Sequence, residues 1–155
     1  MKLTFQRHII GLSALAMLAL AQTSAIADDK FSDVVIKSKK LDNNTYMFIG
    51  AGGNIAVSAG DDGILIVDDQ FAPLADKITA ALNDIQPGLP KYIVNTHYHG
   101  DHTGGNAHFG QTGSILAHHN VLKRLKADSS TPASALPVIT YEDNISIHFN
   151  QDTLE

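Results

Sequence analysis

Residues 97–102 place three imidazoles and one carboxylate in six consecutive positions, directly behind a short apolar stretch. His97, His99, Asp101 and His102 are all ligand types for a borderline divalent metal such as zinc. This cluster restricts what the chain can fold into. Alternate residues of an extended segment point to the same side, so His97 and His99 can converge on one ion as a strand leaves its sheet. Gly100 then allows a sharp turn. Asp101 and His102 follow near the start of a short helical stretch and can address a second position. A carboxylate beside a water can orient it and take its proton. The cluster therefore asks for an open α/β sheet, where ligands sit at the carboxyl ends of strands. The other reading of the same residues is a polar loop of solvated histidines.

The flanking sequence supplies such a sheet. Val34 to Leu41, Thr45 to Ile49, Ile55 to Ala59 and Ile64 to Val67 are short β-branched runs separated by turn residues, which predicts an antiparallel meander. The pattern then changes. Leu74, Ile78, Ala81, Leu82 and Ile85 recur at helical spacing behind Pro73, predicting a helix that ends near Gln86. Tyr92 to Asn95 and Ser114 to Ala117 read as short strands, and His118 to Ala127 as a second helix. Residues 128–137 are rich in Ser, Pro and Ala and read as a mobile loop. Ile145, Ile147 and Phe149 alternate as a last strand with nothing after it to cover its sheet. The fold class is α/β (α+β), with helices packed on a sheet.

The first 27 residues stand apart. Lys2, Arg7 and His8 precede an apolar run from Ile9 to Leu20, and Ala25-Ile26-Ala27 fits a small-x-small cleavage site. That is the plan of a secretory signal peptide, and the run is short for a membrane span, which needs about 20 residues. A buried or anchoring N-terminal helix is the alternative. The expectation is a periplasmic or secreted protein, with no membrane attachment after cleavage, whose folded part is residues 28–155. The formal charge of -5 argues against nucleic acid as a partner. With no cysteine, disulfides, thiol catalysis and cysteine-held zinc are excluded.

The stretch His97-Tyr98-His99-Gly100-Asp101-His102 resembles the His-x-His-x-Asp-His signature of the metallo-β-lactamase superfamily. The strand before it, Thr103-Gly104-Gly105-Asn106 after it, and an upstream strand from Gly63 ending in Asp68 are similar as well. The resemblance covers roughly residues 33–155. It implies an αββα metallo-β-lactamase-type sandwich and a metal-dependent hydrolase using one or two zinc ions. His97 and His99 would hold the first metal, and Asp101 and His102 the second. Asp101 would also position the attacking water, and Asp68 would support the site from behind. The implied chemistry is attack by metal-bound hydroxide on an amide or lactam, ester, thioester or phosphoester bond of a small-molecule substrate.

The family adds a third histidine, a bridging aspartate and a last histidine in its second half. After His119 this chain has only His148, which lies on a strand without the Gly/Thr/Asp-rich setting of such a ligand. The chain thus reads as the first half of the sandwich, and an uncovered sheet predicts self-association. The alternative function is a non-catalytic metal-binding module, or a part that needs a second half. His118-His119 is read as helix capping, His108 and His148 as structural, and Asp68 as either a turn cap or a brace for the metal turn. Gly50-Ala51-Gly52-Gly53-Asn54 is a loose turn and not a dinucleotide fingerprint.

Overall fold

A seven-stranded sheet carries the architecture. The computed structural model describes residues 29–155, so the signal-peptide segment lies outside the described residues. The strands are β1 (Lys37–Lys40), β2 (Thr45–Ile49), β3 (Ile55–Gly60), β4 (Gly63–Val67), β5 (Tyr92–Asn95), β6 (Ser114–His118) and β7 (Ile139–Tyr141), hydrogen-bonded in sequence order. β1 to β4 form the expected antiparallel meander, and β4 to β7 are parallel. The change of direction at β4 follows from the connections. Close turns join the meander, whereas a parallel neighbour needs a crossover, supplied by helix α1 (Ala75–Asn83).

The apolar spacing seen in the sequence is what α1 buries. Ile78 and Leu82, with Leu74 just ahead of the helix, are fully buried against Phe48, Ile55, Val57, Ile66, Ile93 and Ile115 from the sheet. Two one-turn helices, α2 (Gly100–Thr103) and α3 (Asn106–Phe109), follow β5, and α4 (His119–Lys126) follows β6. Lys77 ties the segment ahead of β1 to this layer, its ammonium donating to the carbonyls of Phe31, Ser32 and Val34 at 2.8, 2.6 and 2.8 Å.

Three details differ from the sequence reading. Residues 128–137 hold a single 3-10 turn, Ala133–Ala135, pinned where Asn106 Nδ2 donates to the carbonyl of buried Ala135, and they feed a strand, β7, not foreseen. The last strand does not extend the main sheet. β8 (Ile147–Phe149) pairs with β9 (Asp152–Leu154) in a separate hairpin, whose Phe149 ring meets Tyr92 edge-on at 5.7 Å. Asn150, at the turn of that hairpin, bonds Asp62, Ser58 and Gly63, so the hairpin is fastened to the β3–β4 turn. The first strand is also shorter than expected, because Val34 and Ile36 pack on the core from an irregular segment.

Candidate metal centre

The turn begins where β5 ends at Asn95. Asn95 is buried and exchanges side-chain hydrogen bonds with buried Asn106, which closes residues 96–105 into a loop against α3. His99, extended at φ -67° and ψ 149°, caps α2 and makes the direction change. Gly100 is not what allows it, because a side chain there would meet nothing within 4 Å. Thr103 Oγ1 donates to the carbonyl of His99 and secures the turn.

The donor atoms stand in two pairs. His97 Nε2 lies 3.2 Å from His99 Nδ1, and Asp101 Oδ2 lies 3.4 Å from His102 Nε2. Two ligands of a tetrahedral zinc at Zn–N distances of about 2.0–2.1 Å stand about 3.3 Å apart. Each pair therefore has the spacing of two ligands around one ion. The pairs are neighbours, with the His97 and His102 ring centres 3.9 Å apart. Among the described residues, though, no three or more His, Asp or Glu side chains gather into one metal-holding group. The donor set fits zinc in kind and in spacing, two ligands at a time.

Asp68 sits behind both pairs. Its carboxylate accepts from the Thr96 N–H and from Thr96 Oγ1, each at 2.8 Å, and lies 2.7 Å from His102 Nδ1. His102 Nδ1–H is therefore the donor, which turns Nε2 toward Asp101. Thr96 has one hydroxyl hydrogen, and Asp68 takes it. The 3.0 Å contact between Thr96 Oγ1 and His97 Nδ1 is then an N–H donated to the hydroxyl, and His97 Nε2 is left as the acceptor facing His99 Nδ1. One buried carboxylate thus orients the His102 ring directly and the His97 ring through Thr96.

Asp69 points the other way. It accepts from the Gly105 N–H at 2.8 Å, and its Oδ2 is buried without a hydrogen-bond partner. Burial raises its pKa to about 8, the Gly105 hydrogen bond lowers it, and the Asp68 charge raises it further. Asp69 is held as a neutral acid at pH 7.

Among the described residues, four other histidines lie away from the donor pairs. His118 Nδ1 caps α4 at the Asn120 N–H, His108 meets Thr79 Oγ1 at 3.3 Å and His148 meets Thr153 Oγ1 at 3.0 Å. His119, the first residue of α4, is exposed. Sequence reasoning missed Thr96, Asp69 and Gln70. The one available signal was the polar run Asp68-Asp69-Gln70 ending an apolar strand, followed by burial of all three.

Comparison with known proteins places this geometry in a class. The sequence model of the metallo-beta-lactamase superfamily matches residues 41–129. The chain belongs to the metallo-β-lactamase superfamily. Among solved structures it is similar to BJP-1, a subclass B3 metallo-β-lactamase of Bradyrhizobium japonicum. The TM-score is 0.68 at 19% identity, over 81% of this chain and 52% of that one. A Cronobacter sakazakii metallo-β-lactamase with a HARLDQ motif matches with a TM-score of 0.65 at 15% identity, over 82% and 54%. FIM-1 from Pseudomonas aeruginosa, in its mono-zinc form, matches with a TM-score of 0.60 at 19% identity, over 75% and 55%. The chain spans about half the length of these structures. No curated protein sequence matches it. The fold is thus that of a metal-dependent hydrolase family, and among the described residues no helix is long and apolar enough to cross a membrane.

Proposed function

We propose that this protein is a zinc-dependent hydrolase in which the turn at 97–102 supplies the first ligands for one or two ions. His97 Nε2 and His99 Nδ1 would hold one ion, and Asp101 Oδ2 and His102 Nε2 the other. The observation that carries this reading is the pairing itself, four donor atoms at 3.2 and 3.4 Å with the far nitrogens of His97 and His102 already tied down. The mono-zinc form of FIM-1 adds support for zinc as the metal. When bound, zinc acidifies water and polarises the bond to be cleaved. The chain's own part is then to orient and to move protons. Asp101, half-buried beside His102, orients the attacking water and accepts its proton. Asp68 keeps His102 in the tautomer that presents Nε2. The substrate is a small molecule with an amide or lactam, ester, thioester or phosphoester bond.

The leader ending at Ala27 supports export to the periplasm or beyond, and a mature N-terminus at Asp28 by mass spectrometry is its test. Zinc content after purification without chelators tests the metal, and a mere trace removes the reading. Turnover of lactam, lactone or thioester probes tests the chemistry. His97→Ala should abolish it, and Asp101→Ala should lower it by about 10²- to 10⁴-fold.

A second reading has its own observation, the absence of a three-donor group among the described residues. On it the chain is a non-catalytic metal-binding module, or a part completed by another segment. Bound zinc without turnover of any probe favours this reading.

A further inference from the structure

The three residues that leave β4, Asp68, Asp69 and Gln70, each reach a different part of the site. Asp68 and Gln70 have left-handed backbone, with φ of 65° and 57°. Such conformations persist in non-glycine residues only where the surroundings over-determine them. Gln70 is fully buried. Its Oε1 accepts from the Ala51 N–H at 3.3 Å, and its Nε2 donates to the Gly53 carbonyl at 2.5 Å. Its own carbonyl accepts from the Gly105 N–H at 3.2 Å. Gln70 therefore bridges the turn after α2 and the glycine loop between β2 and β3.

That loop lies against the second ligand pair. Gly52 has φ 85°, and a Cβ on it would sit 2.6 Å from Asp101 Cβ and 3.0 Å from the Phe71 ring. A Cβ on Gly53 would run into the His102 ring, 2.8 Å from Nε2, the nitrogen that faces Asp101. The loop backbone thus forms a wall against both residues, and only glycine leaves room for it. The His97 ring is tied instead to Thr96.

We propose that Gln70 is a positioning residue for the Asp101–His102 pair: its amide holds the Gly50–Gly53 loop against that pair and so fixes the placement of Asp101 Oδ2 and His102 Nε2. The inference rests on the reading that these two atoms hold a metal. It assigns to the glycine loop the task of setting the second metal position, while the His97–His99 pair is set from Thr96.

The test uses three variants of the full chain. Gln70→Asn keeps an amide that tolerates left-handed backbone but falls one methylene short. Gln70→Glu keeps the length and the acceptor for Ala51, and loses the donor to Gly53. Gly53→Ala pushes on His102 from the loop side with Gln70 intact. Zinc titration should show affinity at the second equivalent reduced about 10- to 100-fold in each variant, with the first equivalent unchanged. Nitrogen NMR of the metal-free protein should show the His102 ring signals, sharp and Nδ1-protonated in wild type, shifted and averaged in the variants. If zinc does not bind wild type at all, the metal reading fails, and the metal-free His102 signals still decide the role of Gln70. A lower melting temperature with His102 signals unchanged makes Gln70 merely structural and overturns the proposal. Should Gln70→Asn not fold, Gln70→Glu and Gly53→Ala carry the same comparison.

Discussion

Asp68 shows how one residue can answer two readings at once. It caps the start of the turn through the Thr96 N–H, and it supports the histidines through His102 Nδ1 and the Thr96 hydroxyl. The ligand types were legible because they are adjacent in sequence and alike in chemistry. Thr96 and Asp69 were not, because their partners lie 28 and 36 residues away and only folding brings them together. Thr96 gives a sharp prediction. Thr96→Val keeps the shape and removes the hydroxyl that receives the His97 Nδ1–H. Metal affinity by chelator competition should fall about 10- to 100-fold, and Thr96→Ser should restore it. Asp69 gives a prediction in pH. Its folded pKa, about 8, lies above the ordinary carboxyl value of 3.8. Between those values the unfolded chain has released a proton that the folded protein keeps, so raising the pH favours unfolding across that window. Asp69→Asn lacks this ionisation. In metal-free protein its stability relative to wild type should rise from pH 4 to pH 8, with a slope of at most about 1.4 kcal/mol per pH unit. A difference that stays flat in denaturant titrations across that range would mean the carboxyl is ionised as ordinary acids are.

Elements were readable in proportion to their length and burial. β3, β5 and α1 each bury an apolar pattern with the right period, so pattern and structure agree. β7 and β9 are three residues each with little buried surface, and no periodicity can announce so short a strand. The loop at 128–137 is rich in residues that favour mobility, yet one buried hydrogen bond from Asn106 pins it. Likewise, nothing local marks residues 31–36 as anchored. Lys77 does that, from 43 to 46 residues further along. Its ammonium is satisfied by three carbonyls of a segment that packs Phe31, Val34 and Ile36 on the core. Lys77→Met keeps the stem and removes the charge. It should cost about 2 kcal/mol in chemical denaturation and expose the residues before β1 to proteolysis. Retained stability with an intact N-terminus would show that apolar packing alone holds the segment.

For the molecule as a whole, the two faces of the sheet have different fates. One face carries Val57, Ile66, Ile93 and Ile115 in register and is covered by α1. On the other face the register runs Met47, Ala56, Val67, Val94, Leu116 and Ile139, one apolar row across six strands. Leu116 is buried, Met47, Val67 and Val94 are half-buried, and Ala56 and Ile139 are exposed, Ile139 by 40%. The two ends of the sheet also differ. β1 presents Lys37, Lys39 and Lys40, which discourage another strand from pairing there, whereas β7 carries Ile139 beside exposed Val138. The apolar surface left open on this face is greatest at the β7 edge, where Val138 and Ile139 are exposed together. The chain should therefore self-associate through this face, with a mass by light scattering that rises with concentration. Ala56→Lys sets an ammonium in the middle of the row at an already exposed position, and Ile139→Lys sets one at its open end. Each should return the chain toward monomer without lowering its melting temperature, since neither side chain packs in the core. Lys39→Val removes a guard from the other edge and should raise the mass further. A wild-type mass that stays monomeric across the concentration series would mean that the β8–β9 hairpin and the half-buried neighbours already shield the row.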